Sequence, residues 1–138
     1  MGNPKAEITL EWADGEYLFA LKGAQIEELE AVCGKVGFGA IYQRVMNGSW
    51  FWSDLYHVIR LGLIGGGLGA VEAKRLTETY IQQPLGSGPN CPFSVASSVL
   101  GAVMFGFEDI PPKKPKAGEN PAKEESSETS GPGYSSTE

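Results

Sequence analysis

The chain has 138 residues, 41% of them hydrophobic, and a formal net charge of −6 at pH 7. That length suits one domain, and an acidic surplus of this size repels phosphate, so sequence-independent nucleic-acid binding is excluded as a main role and a protein partner is the better default. Cys33 and Cys91 are the two cysteines, and Met1-Gly2-Asn3-Pro4-Lys5 opens without the apolar run of a secretory leader, so both are expected to be reduced, buried small hydrophobes in a cytosolic protein.

In chain order, Ile8, Leu10 and Trp12 alternate with Glu7, Thr9 and Glu11, the period of a strand with one buried face. Asp14-Gly15 is a strong hairpin turn signal, because a type I′ turn needs positive φ at both central residues. A turn there pairs Ala13 with Glu16, Trp12 with Tyr17, Leu10 with Phe19 and Ile8 with Leu21, which gathers the large apolar side chains on one face. A lone hairpin is marginal in water, so that face must cover something else.

After Gly23 the spacing becomes helical. Ile26, Leu29, Val32 and Cys33 form the first apolar stripe, and Gly34 stops it. A second helix runs from about Phe38 to Met46 with Phe38, Ile41, Tyr42 and Val45 on its apolar face, and Asn47-Gly48 ends it. Ser49 or Ser53 is positioned to cap a third, which runs to about Ile64 with Leu55, Val58, Ile59 and Leu61 inward. Gly65-Gly66-Gly67-Leu68-Gly69 then breaks the chain as a tight or flexible turn that permits close packing and lets helices reposition. A fourth helix spans about Ala70 to Gln83, burying Ala70, Ala73, Leu76, Thr77 and Tyr80, and Pro84 terminates it. The last starts after Asn90 or Cys91, tolerates Pro92 in its first turn, and carries Val95, Ala96, Val99, Leu100 and Val103 as a stripe apolar enough to place it centrally.

From Asp109 to Glu138 there is no Leu, Val, Phe, Trp or Met. Ordering each residue costs roughly 1–2 kcal/mol, which such a segment cannot offset by burial. The expected fold class is therefore mainly α with a small N-terminal β-hairpin (α+β): about five short helices within residues 1–107, then a disordered Pro/Lys/Glu/Ser-rich tail over residues 108–138. The apolar stretch from Val58 to Val71 is interrupted by Arg60 and by glycines and is too short to span a bilayer, so no membrane partner is expected.

Catalysis needs convergent polar groups, and few are on offer. His57 is the single histidine, with no nucleophile pattern around it, and with Cys33 and Cys91 it makes no convincing metal site. The glycine run lacks the Gly-Lys-Ser/Thr ending of a phosphate loop. No catalytic residue, cofactor or metal is expected. Gly65, Gly66 and Gly67, like Asp14 and Gly15, read as structural turns. Trp50, Phe51 and Trp52 are consecutive, and neighbours on a helix stand roughly 100° apart, so all three cannot enter one core. They are either partly exposed as an anchor for another protein or covered by the aromatic face of the hairpin. Leu63 and Ile64 join them as candidate contact residues.

The order of segments resembles the tail-assembly chaperone family of gene transfer agents and related siphophage-like prophages. The likeness rests on the opening Met1 to Lys5, the hairpin before Ile26-Glu27-Glu28-Leu29-Glu30, and above all the run from Val58 to Gly67. Val71-Glu72-Ala73, Tyr80, Pro84-Leu85 and the small-residue helix from Ala96 to Gly106 follow. The resemblance implies a non-enzymatic chaperone that binds the tape measure protein, the major tail tube protein, or both, and is able to self-associate. It also implies residence in the cytoplasm of the bacterial host or producing cell, and absence from the mature particle. A structural virion component, such as a minor tail or connector protein, is the alternative.

Overall fold

The structure, a computed structural model, describes residues 5–107. The expected tail over residues 108–138 and the opening Met1-Gly2-Asn3-Pro4 lie outside the described residues. Two strands, Glu7–Trp12 (β1) and Gly15–Ala20 (β2), form an antiparallel hairpin. The helices Gly23–Val32 (α1), Phe38–Met46 (α2), Trp52–Gly65 (α3), Ala70–Tyr80 (α4) and Pro92–Phe105 (α5) follow, so the α+β class with an N-terminal hairpin is observed.

The hairpin register differs from the one that Asp14-Gly15 predicts. Trp12 pairs with Gly15, Leu10 with Tyr17 and Ile8 with Phe19, so the turn is Ala13-Asp14. Positive φ falls on Ala13, at 59°, and Gly15 is not among the positive-φ glycines. The Tyr17 hydroxyl donates to Asp14 Oδ1 at 2.6 Å, bracing the turn from the second strand. Trp12, buried, stands opposite a residue with no side chain, and Leu21 is released from the ladder into the core. A shift of two residues preserves the period, so the apolar residues still share one face.

That face rests on α3 and α5. Phe19 is fully buried, and its ring is seated over Gly62, where an added Cβ would come within 3.1 Å of Phe19 Cδ2. Leu29, Ile41, Leu55, Ile59, Leu76 and Leu100 close the core from the five helices. As expected from its composition α5 is central, but α3 shares the centre, with Leu55, Val58, Ile59, Leu61, Gly62 and Leu63 all buried. Cys33 and Cys91 are unpaired and buried.

Four local expectations need correction. Val32 is exposed, because the buried stripe of α1 narrows to Leu29 and then Cys33. Neither Ser49 nor Ser53 caps α3: Phe51 occupies the N-cap position, and its N–H donates to Asp54 Oδ2 at 2.9 Å. α4 ends at Tyr80, short of Gln83, whose amide Nε2 donates to the Tyr80 carbonyl while Ile81 turns inward. Pro84 disfavours helical geometry at Gln83, and in a continued helix its ring would clash with the Tyr80 carbonyl, so α4 does not extend to Gln83. Ala70, at the first position of α4, is exposed and Tyr80 only half-buried, leaving Ala73, Leu76 and Thr77 as the buried face.

Gly65 and Gly66 are not a hinge. A Cβ on Gly65 would lie 1.8 Å from the Ala20 carbonyl oxygen, and one on Gly66 would lie 1.9 Å from that of Leu18. The C-terminus of α3 therefore sits directly on the backbone of β2, an approach only glycine allows. Gly67, at φ 113°, makes the reversal toward α4.

Candidate functional site

The end of α2 and the start of α3 form the most unusual surface. Asn47 Oδ1 accepts from the Ser49 N–H at 3.1 Å and fixes the connection, after which the three aromatics diverge. Trp50 is half-buried and stacks on Phe93 of α5, with ring centroids 6.1 Å apart. Phe51 and Trp52 point outward, 63% and 51% exposed. Trp52 stacks on Tyr56, one turn along α3, at 5.3 Å and 16° between planes.

An ion pair between half-buried Arg44 and buried Asp54 holds this corner. The Asp54 carboxylate is fully enclosed and accepts from Arg44 Nε at 3.0 Å and Nη2 at 2.7 Å, a bidentate fork. Arg44 Nη2 also donates to the Cys33 carbonyl at 3.0 Å, so one guanidinium ties the C-cap of α1 and the last turn of α2 to the first turn of α3. Asp54 further satisfies the orphan N–H of Phe51 and places negative charge at the helix start, where the dipole favours it. The same guanidinium lies 5.3 Å from the centroid of the Phe51 ring, a cation–π contact. Phe51 and Trp52 are thus exposed by construction of the fold, not through local looseness.

The corner continues into a groove of about 390 Å³ between α3 and α4, lined by Tyr56, His57, Arg60, Ala70, Val71 and Lys74. Val71 is 85% exposed there. The Tyr56 hydroxyl donates to Glu78 at 3.2 Å, and Arg60 reaches Glu28 at 3.4 Å. Burial and then the Arg60 guanidinium hold His57 below the usual imidazole range. Arg60 Nη2 lies 3.1 Å from His57 Nδ1, which fits an unprotonated acceptor at that nitrogen.

Of the candidate contact residues, Phe51 and Trp52 are brought together on one surface. Trp50 stands beside them as a packed support. Leu63 is buried at 1% exposure and so presents no surface to a partner, while Ile64 is half-buried against the core, because α3 is enclosed nearly all round beyond its first turn. The hairpin leaves Phe51 and Trp52 uncovered. Sequence reasoning missed Arg44, Asp54 and Tyr56. Asp54, three residues after Phe51, stands at the spacing of a helix-start cap and was the available signal.

Burial pushes the Cys33 thiol up to about 12, which keeps it protonated and unreactive at neutral pH. Among the described residues no group of three His, Cys, Asp or Glu side chains is placed to hold a metal ion, and no helix is long and apolar enough to cross a membrane.

A family model described as "Phage tail tube protein, GTA-gp10" matches residues 5–106, more than half of the chain. No curated protein and no solved structure matches it. The match agrees with the tail relation expected from the resemblance, while its description names the tail tube and not an assembly chaperone.

Proposed function

The chain belongs to the phage tail tube protein, GTA-gp10 family, and on that premise we propose that it acts in tail morphogenesis as a non-enzymatic assembly chaperone. It binds the tape measure protein, the tail tube subunit, or both, in the bacterial cytoplasm and leaves before the particle is complete. The observation that carries this reading is Phe51 and Trp52, two large aromatics kept in solvent at a corner fixed by the part-buried Arg44–Asp54 pair. Burying one such side chain stabilises a protein by roughly 1.5–3 kcal/mol, so a fold that forgoes this twice at one preorganised corner favours contact with another protein. Tape measure proteins are long and helical, with apolar surface that needs cover until the tube encloses it. An amphipathic helix laid across Trp52, Tyr56 and the α3–α4 groove is a physically suitable mode.

Copurification from producing cells tests it. The wild-type protein should retain the tape measure or tube subunit, and a Phe51→Ala/Trp52→Ala variant with an unchanged fold should lose it; equal retention by both would remove this surface from the account. The family description favours a second reading, a structural component of the tail. Mass spectrometry of purified particles separates the two, since stoichiometric presence in the particle fits a structural component and not a transient chaperone.

A further inference from the structure

The two outer edges of the hairpin are treated differently. The Leu18 and Ala20 carbonyls of β2 point at Gly66 and Gly65, so these residues direct their backbone away from β1 and their edge is covered by α3. Residues directly opposite in an antiparallel pair either both face each other or both face away, so Thr9 and Glu7, the partners of Leu18 and Ala20, direct their backbone to the far side of β1. Lys5 continues that alternation. Its N–H donates to the Phe107 carbonyl at 3.1 Å, and its carbonyl accepts the Phe107 N–H at 2.8 Å. Phe107 thus occupies one position of a third strand, and the next outward positions, Glu7, Thr9 and Glu11, have no backbone partner there among the described residues.

The side chains on this edge show what it would accept. Glu7 and Glu11 project from β1 on the same face as Glu16 of β2, and Glu11 and Glu16 are direct cross-strand partners. At such positions Cβ atoms lie about 4.5–5.5 Å apart, where like charges repel. None of the three carboxylates has an ion-pair partner among the described residues. Glu11 and Glu16 also line a groove of about 380 Å³ with Tyr80 and Trp12. Trp12 carries the one buried side-chain donor without an acceptor among the described residues. A second copy paired antiparallel along this edge would set glutamate against glutamate, which disfavours self-pairing.

We propose that the outer edge of β1 is a second docking site, independent of the aromatic corner and of the tail-assembly reading, for an extended partner segment with Lys or Arg opposite Glu7 and Glu11. The main-chain groups of Glu7, Thr9 and Glu11 supply the ladder, and the carboxylates select a basic strand whose cations are four residues apart. Phe107, already seated opposite Lys5, limits the length of the added strand at that end.

Three blocked pentapeptides titrated into the wild-type protein and followed by amide NMR test this: Lys-Val-Thr-Val-Lys, its counterpart with glutamates in place of lysines, and the lysine peptide N-methylated at threonine. The lysine peptide should shift and protect the Glu7, Thr9 and Glu11 amides saturably, and the other two should bind at least about tenfold more weakly. A Glu7→Lys/Glu11→Lys variant, which changes both carboxylates that the peptide cations face, should reverse the preference between the charged peptides. Equal binding of the N-methylated peptide would reduce the contact to unspecific charge, and unaltered β1 amides would overturn the proposal.

Discussion

The two ends of α3 carry the two oddest compositions in the chain, and the fold uses them in opposite ways. At the C-terminal end, two glycines, Gly65 and Gly66, remove side chains so that a helix terminus can rest on the carbonyls of Ala20 and Leu18, and Gly67 supplies the positive φ of the reversal. At the N-terminal end, three aromatics add more apolar surface than the core accepts, and the Arg44–Asp54 pair fixes the surplus outside. One end shows how tightly this protein packs where stability is at stake. The other shows that the exposure of Phe51 and Trp52 is not a failure to pack.

The comparison can be broken most severely at the glycine end. Gly65→Ala or Gly66→Ala would drive a Cβ into a main-chain oxygen that has no rotamer to change, so each should lower unfolding free energy by about 3 kcal/mol or more in denaturant titrations. A near-neutral result would mean that α3 and β2 do not meet as closely as described. At the opposite end, Asp54→Ala leaves the Phe51 N–H without its acceptor and the Arg44 guanidinium without its counter-ion, holding only the Cys33 carbonyl, and should cost about 3 kcal/mol. Arg44→Met combined with Asp54→Leu should recover part of that loss, since an apolar pair leaves no unpaired charge.

The hairpin turn sharpens the contrast between glycines that are needed and one that is not. Gly15 has open space where a Cβ would stand, so Gly15→Ala should change stability by less than about 0.5 kcal/mol. Ala13→Gly should be stabilising by about 0.5–1 kcal/mol, because it relieves a positive φ that an L side chain resists. Measured melting temperatures that ranked these two in reverse order would restore the Asp14-Gly15 turn. Between the two ends of α3, His57 gives the smallest effect. Its proton affinity is depressed in the folded state, chiefly by burial, so its contribution to stability is complete above the ordinary imidazole value of about 6.5 and is lost as pH falls through the lower folded value. His57→Gln should flatten that acid slope in thermal melts.

Much of this was legible in the residues, and the exceptions have physical reasons. Alternation from Ile8 to Trp12 identified the buried face of the hairpin but not its register, since a two-residue shift leaves every side chain on the same face. Helical spacing placed α2 at its observed bounds, Phe38 to Met46. Two of the three rings from Trp50 to Trp52 are exposed, but only Trp52 lies within α3, so the 100° helical separation is not what parts them. The same helix misled at Leu63, because burial on almost every side of α3 comes from β2, α4 and α5, which no local pattern encodes. The Arg44–Asp54 pair joins residues on different helices, and sequence spacing carries no sign that these two opposite charges will meet. Gly65 and Gly66 read as a turn, tight or flexible, that permits close packing; the close approach is observed, but a missing side chain looks the same whether the chain needs freedom or another backbone needs room.

The central claim is that Phe51 and Trp52 serve a partner and not the fold. Measuring the dissociation constant for purified tape measure or tail tube protein together with the melting temperature, for wild type and Phe51→Ala/Trp52→Ala, tests it in one experiment. The expected result is a loss of binding of at least about tenfold with stability changed by less than about 1 kcal/mol. A large fall in melting temperature with binding intact would contradict it and return the aromatic corner to the core.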